Sequence, residues 1–376
     1  MKYKELGNSG QLISAIGQGC MGIGGEFDKN TSMDKEFLWS LEYGIELGMT
    51  FIDTAEVYAS GHSETLVGKI AKDKRDKLFI ATKFSPENNS YNSVLSSAEN
   101  SLKRLNSSYI DLYQVHWPNP SIPISETMMA IEKLVKDGKV RFVGLSNFSQ
   151  REMEEAQKCI DPIKIVSNQV EYNLFDRFIE RALMPYIVNK DLSIIAYSPL
   201  NKGHSLNSNK KKELMKKLSK KYDKTISQIS LNWLLSKECV FVIPKAIKKN
   251  HIELNASSSD FEMESKDIQQ IDEVFSINPK LINPDKIRVS LSGEGNRKVY
   301  ETIEEAIENK LNLQPSPIEL AKFILEGELI KPVRITHSLS DDHYEYELIE
   351  GRLRFWAWNI AYQGKKKVPC IIRDDH

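Results

Sequence analysis

Up to about residue 275, short runs of apolar and β-branched residues alternate with segments whose apolar positions recur every three or four residues. The extended runs cover 13–19, 50–53, 78–83, 110–116, 140–145, 163–169, 192–198 and 240–244, the first being the weakest. Amphipathic segments between them include 34–47, 94–105, 125–136 and 226–236. Strand then helix, repeated eight times over about 250 residues, is the sequence form of a parallel (β/α)8 barrel, the TIM barrel.

An open, doubly wound sheet competes with that reading, because Gly17-Gln-Gly19-Cys-Met-Gly22 fits G-x-G-x-x-G and Asp53 ends the next run. In a dinucleotide-binding unit the third glycine opens a helix whose N-terminus meets the pyrophosphate. Here Gly22-Ile-Gly24-Gly25 runs on as loop, so the glycines read as a flexible connection over a barrel mouth.

Length and composition add a second domain. The 376 residues are 40% hydrophobic and 27% charged, which suits a soluble barrel plus a small module. No run of about 18 apolar residues occurs and the start, Met1-Lys-Tyr-Lys-Glu-Leu6, has no signal core, so neither membrane insertion nor secretion is expected, and the protein is expected to be cytoplasmic. Cys20, Cys159, Cys239 and Cys370 are scattered without a C-x-x-C pair, so no metal site or disulfide framework is expected. A net charge of −1 gives no support for a nucleic-acid coat or a membrane surface.

Candidate chemistry lies where the extended runs end. Asp53 and Tyr58 follow Phe51-Ile52, Lys83 closes Leu78-Phe-Ile-Ala-Thr, and His116 closes Asp111-Leu-Tyr-Gln-Val. In a parallel barrel these ends converge on one face, where loops build the active site. Singly, an aspartate there is often a helix cap and a tyrosine mere packing. Together, acid, phenol, amine and imidazole at successive strand ends read as a catalytic site. An ammonium beside such a phenol would pull its pKa down from the ordinary value of about 10.

Several motifs, in order, resemble the aldo-keto reductase family: Gly48-Met-Thr-Phe-Ile-Asp-Thr-Ala-Glu-Val-Tyr58, Gly61-His-Ser-Glu64, Thr82-Lys83, Asp111-Leu-Tyr-Gln-Val-His-Trp-Pro118, Gly138-Lys-Val-Arg-Phe-Val-Gly-Leu-Ser-Asn147 and Ala196-Tyr-Ser-Pro-Leu200. The resemblance implies a TIM barrel that binds a nicotinamide cofactor without a doubly wound fold. It makes Tyr58 the general acid, Lys83 and Asp53 its tuning pair, and His116 the residue that orients the carbonyl. It also implies that Ser146, Asn147 and Gln169 bind the nicotinamide amide and that Tyr197 stacks on the ring. Ser198, Leu200 and Lys245 approach the phosphates, and Asn255 the adenine. His251 stands where many relatives carry an arginine for the 2′-phosphate, and Leu254 where a polar residue is usual. Lys245, Lys248 and Lys249 are then the cations available, so NADPH is expected ahead of NADH, without the bidentate fork of an arginine. Trp117, with Phe27 and Phe84, would line a pocket for a small carbonyl substrate, sugar-like or aromatic.

The barrel is expected over 1–277 and a small α+β unit over 278–376. In that unit Tyr344-Glu-Tyr-Glu-Leu-Ile-Glu-Gly-Arg-Leu-Arg354 through Val368-Pro-Cys-Ile-Ile-Arg373 reads as strand, turn, helix, strand. It resembles the ParB and sulfiredoxin superfamily, and Gly351 with Arg354 becomes a candidate anion or nucleotide site at a helix N-terminus. Arg352 stands where sulfiredoxin-like chemistry wants a cysteine, which argues against sulfinate reduction. Residues 279–376 hold 15 basic and 16 acidic side chains, so DNA is not an expected partner. Two functions follow: an NAD(P)H-dependent carbonyl reductase with an accessory domain, or a nicotinamide-redox sensor whose second domain binds a nucleotide or protein partner.

Overall fold

The computed structural model describes residues 1–201, 208–276, 278–289, 300–338 and 343–372. It divides into two compact units, Met1–Phe275 and Ser276–His376. The first opens with an antiparallel hairpin, β1 (Tyr3–Glu5) and β2 (Leu12–Ser14). Eight parallel strands follow: β3 (Gln18–Gly19), β4 (Phe51–Asp53), β5 (Phe79–Phe84), β6 (Ile110–Val115), β7 (Val140–Ser146), β8 (Ile165–Glu171), β9 (Ser193–Tyr197) and β10 (Val240–Val242). Each pairs with the next in sequence, and the circle closes through Gly17 N–H to Val242 O at 2.8 Å and Gly19 N–H to Pro244 O at 3.3 Å. The expected helices form at Asp34–Glu46, Tyr91–Leu105, Ile124–Lys136 and Ile226–Leu235, packed outside the sheet.

The run 13–19 is not one strand. Its first part pairs back on Tyr3–Glu5, Ile16 and Gly17 bridge to Val242 to close the barrel, and Gln18–Gly19 pairs with β4. The glycines of the G-x-G-x-x-G stretch serve closure: a Cβ on Gly19 would meet Ile243 O at 2.5 Å, and no helix starts before Asp34. Inside the barrel, Phe51, Phe79, Leu112, Val166, Ile195 and Phe241 form one cluster, into which the hairpin inserts Leu6 and Ile13. The N-terminal end is thereby plugged, leaving the C-terminal ends of the strands for the site.

Buried ion pairs fix the plugged end. Asp111, fully buried at the start of β6, accepts from Arg75, from Arg141 and from the Ile80 N–H at 2.9 Å. Lys4 reaches from β1 to donate to the carbonyls of Leu235 and Lys237 at 2.8 Å and Val240 at 3.0 Å.

The second unit is a mixed five-stranded sheet in the order β11 (Lys280–Ile282), β15 (Val368–Ile372), β13 (Val333–His337), β14 (Tyr346–Glu350), β12 (Ile287–Val289). Helices Ile303–Ile307, Pro317–Leu325 and Arg352–Tyr362 accompany it, over a core of Ile287, Val333, Ile335, Leu348, Phe355, Val368 and Cys370. Arg373, expected to end the last strand, lies outside the described residues. Among the described residues, no helix is long and apolar enough to cross a membrane.

Candidate active site

Asp53 ends β4, Lys83 lies at the end of β5, His116 directly follows β6, and Tyr58 opens a short turn beyond β4. The barrel brings all four together. Lys83 Nζ, fully buried, donates to Asp53 Oδ1 at 2.6 Å, to Thr54 O at 2.8 Å and to Tyr58 Oη at 3.4 Å. The Tyr58 ring stands edge-on to His116, with centroids 6.0 Å apart. The second oxygen of Asp53 accepts from Gln169 Nε2 at 2.7 Å and Gln114 Nε2 at 3.2 Å. The carboxylate is therefore saturated by fixed donors, and the ammonium is left with one direction toward the phenol.

Burial decides the protonation states. It pushes Lys83 down, but the Asp53 carboxylate and Tyr58 outweigh it, so the ammonium is held above its ordinary range. Burial and then the Lys83 charge push the His116 imidazole down to about 3, leaving it neutral at physiological pH. The Tyr58 phenol differs from the sequence expectation. Lys83 does pull it down, but burial is the larger effect and the net direction is up. The site thus keeps a proton on the phenol at neutral pH and a charge-neutral imidazole beside it.

Next to this cluster runs a rim of hydrogen bonds. Ser146 Oγ donates to Gln169 O at 3.0 Å, and Asn147 Nδ2 to His116 O at 3.2 Å. Tyr197 Oη donates to Asn147 Oδ1 at 3.0 Å. Asn147 and Ser198 both have left-handed backbone, at φ 64° and 47°, where their strands turn into loops. Lys245 is exposed just past β10, with its ammonium 2.8 Å from where a Gly22 Cβ would stand. Asn255 is buried and lines a crevice with Gly19, Pro244, Ala246 and Ile252. Leu200 is half-buried against the main core.

Residues 15–276 match the aldo/keto reductase family. The chain belongs to that family. Its activity is accordingly the NAD(P)H-dependent reduction of a carbonyl group. Methylglyoxal reductase YeaE of Escherichia coli (strain K12) is 34% identical over 277 residues, covering 73% of this chain and 96% of the relative. Glyoxal reductase of Bacillus subtilis (strain 168) is 35% identical over 248 residues, covering 66% and 87%. Among solved structures, the thermostable aldo-keto reductase Tm1743, crystallised with the inhibitor epalrestat, aligns with TM-score 0.70 and 41% identity over 73% of this chain and 100% of its own. A Klebsiella pneumoniae aldo/keto reductase crystallised with NADP and acetate aligns with TM-score 0.66 and 30% identity, over 73% and 96%.

Against this reductase framework one expected residue carries an added contact and another sits differently. Gln169, expected on the nicotinamide amide, turns its own amide nitrogen onto Asp53. Phe84, expected in the pocket wall, is fully buried against Tyr113 with ring centroids 5.0 Å apart, because its side chain points to the helix layer. Trp117 and Phe27 are exposed, at 47% and 63%, and remain available as walls. Gln114 was not singled out from sequence. It lies two residues before His116, and the two-residue period of a strand puts both on one face, which is the signal that finds it.

In the second unit, Gly351 caps the helix Arg352–Tyr362 in left-handed conformation at φ 95°. Arg354 folds back over it to donate to Lys331 O at 2.5 Å and Pro332 O at 3.3 Å, and lies 3.6 Å from the Glu350 carboxylate. Its guanidinium is engaged by protein oxygens.

Proposed function

We propose that the barrel reduces a small aldehyde or ketone with Tyr58 as proton donor and NADPH as the preferred cofactor. The observation that carries this is the Lys83 ammonium, held by Asp53 at 2.6 Å and directed at the Tyr58 hydroxyl at 3.4 Å. When bound, the cofactor supplies hydride to the carbonyl carbon. The Tyr58 hydroxyl holds a proton at Oη and gives it to the carbonyl oxygen as charge develops there. Lys83 stabilises the phenolate left behind, and neutral His116 orients the carbonyl by hydrogen bonding. The reverse step, alcohol oxidation, uses the same proton in the opposite direction.

Ser146, Asn147, Gln169, Tyr197, Ser198, Leu200, Lys245 and Asn255 would hold the cofactor. The fit rests on polar groups and left-handed turns along the strand ends, and on exposed Lys245, Lys248 and Lys249 around the start of the helix Lys249–Ala256. A helix N-terminus flanked by lysines suits a phosphate monoester, which favours NADPH over NADH. The names of the relatives point to small dicarbonyl substrates such as methylglyoxal and glyoxal. Trp117 would wall the pocket, and a sugar-type carbonyl fits the same open mouth. Oxidation of NADPH and NADH over these carbonyls, with Lys248→Met as a control, tests the reading. Equal kcat/KM for both cofactors, unaltered in the variant, would remove the NADPH preference.

For the second unit we read a ParB/sulfiredoxin-like accessory domain. Its support is the strand Tyr346–Glu350 passing through left-handed Gly351 into the helix Arg352–Tyr362 and then the strand Val368–Ile372. The engagement of Arg354 with Lys331, Pro332 and Glu350 favours a structural tie over a nucleotide contact. Titration of the whole protein with ATP, followed by intrinsic tryptophan fluorescence with NADPH saturating, separates the two.

A further inference from the structure

Tyr58 is held loosely by its own side chain, since its hydroxyl receives one long hydrogen bond, 3.4 Å from Lys83. Its backbone is held tightly. The three residues after it are all left-handed: Ala59 at φ 51°, Ser60 at φ 52° and Gly61 at φ 84°. Two of them are L-residues in a region they disfavour, so the turn persists only because its surroundings impose it.

The hydrogen bonds that hold the turn come from the connection between β3 and the helix Asp34–Glu46. Ala59 N–H donates to Glu26 O at 3.0 Å, and Ser60 Oγ donates to Phe27 O at 3.0 Å. Immediately after the turn, His62 Nε2 contacts both oxygens of Asp34, at 2.9 and 3.1 Å. The imidazole is 6% exposed and Asp34 20%. Gly24 permits the ring to sit there, because a Cβ on it would stand 2.8 Å from His62 Cδ2. The connection closes on itself through Asn30 N–H to Gly24 O at 2.6 Å and meets the helix start through Asp34 N–H to Thr31 O at 3.2 Å. At the other side of the turn a Gly61 Cβ would meet Arg104 Cδ at 2.7 Å, and Arg104 is fixed by the buried Glu64 at 2.6 Å.

We propose that Asp34 and His62, with the loop carbonyls of Glu26 and Phe27, are positioning residues for Tyr58, clamping the left-handed turn that aims its hydroxyl. The proposal rests on Tyr58 as the proton donor. The clamp grips the backbone just after Tyr58 while Lys83 reaches its hydroxyl, so the phenol is supported at both its backbone and its tip. Because exposed Phe27 belongs to the same connection, the clamp also ties the aim of the phenol to the wall of the pocket.

The test is a double-mutant cycle on the full chain between Asp34→Ala and Tyr58→Phe, with kcat, carbonyl KM, NADPH Kd and melting temperature measured for each. Asp34→Ala is expected to lower kcat about ten- to a hundred-fold, the loss that a misplacement near 1 Å produces, with NADPH Kd unchanged. In the Tyr58→Phe background it is expected to lower the residual rate no further, since its effect passes through the phenol. His62→Gln, which keeps an N–H toward Asp34, is expected to retain most of kcat. Ser60→Ala, a change too small to unfold the barrel, is expected to lower kcat several-fold. Unchanged kcat in Asp34→Ala and Ser60→Ala, or an equal further loss in the Tyr58→Phe background, overturns the clamp. Wild-type turnover in Tyr58→Phe alone overturns the proton-donor reading instead, so the two failures are distinct.

Discussion

Two lysines are buried at opposite ends of the same barrel, and their protonation moves in opposite directions. Lys4, 3% exposed at the plugged end, donates to three backbone carbonyls, and burial, helped by the nearby Lys2 charge, lowers it to about 8. Lys83, fully buried at the open end, suffers the same burial but meets the Asp53 carboxylate and is raised. Three good hydrogen bonds to carbonyl dipoles do not offset desolvation, whereas a fixed carboxylate with a phenol beside it does. The plugged end also holds a carboxylate, Asp111, but its oxygens are taken by Arg75, Arg141 and a backbone N–H. What makes the open end chemical is the leftover direction of the Lys83 ammonium, pointed at a phenol.

Substitutions break this comparison in order of size. Tyr58→Phe removes the proton donor and is expected to lower kcat about 10²- to 10⁴-fold, with NADPH affinity and melting temperature held. Asp53→Leu leaves Lys83 in surroundings like those of Lys4. It is expected to destabilise the fold by about 3–5 kcal/mol in urea unfolding as well as to remove turnover. Asp111→Ala is expected to destabilise by about 3 kcal/mol, the lower end because Arg141 is half-exposed, with kcat per folded molecule unchanged. A loss of kcat there would erase the distinction between the ends.

The smallest effect concerns Lys4. Its folded pKa lies below the unfolded value, so between about pH 8 and 10.5 the unfolded chain binds a proton that the folded chain does not. Stability should therefore rise with pH across that window, on the order of 3 kcal/mol, and Lys4→Met should flatten the rise. Lys83 has the opposite sign. Its contribution is present below the ordinary lysine pKa and fades only as pH climbs through its raised folded value.

The open end was legible because each ionisable residue closes a β-branched run, and the runs at 50–53, 78–83 and 110–116 become β4, β5 and β6 almost residue for residue. The run 13–19 misled because its apolar pattern is continuous while its hydrogen bonds change partner between Ser14 and Gln18. Phenol burial, which reverses the expected pKa direction of Tyr58, has no signature in local sequence. Nor do the clamp of Asp34 on His62 and the tie of Arg354 to Lys331, since each joins segments about twenty to thirty residues apart. Alternation and punctuation reveal elements, whereas these contacts arise only when the elements pack.

The most direct measurement is the pH dependence of the hydride-transfer rate in single turnovers of NADPH with methylglyoxal. A protonated phenol and a neutral His116 predict a rate that is flat from about pH 6 to 9 and falls only as the phenol ionises, above about 10. A break near pH 6.5, retained in Tyr58→Phe, would assign the proton to a free imidazole and contradict the account.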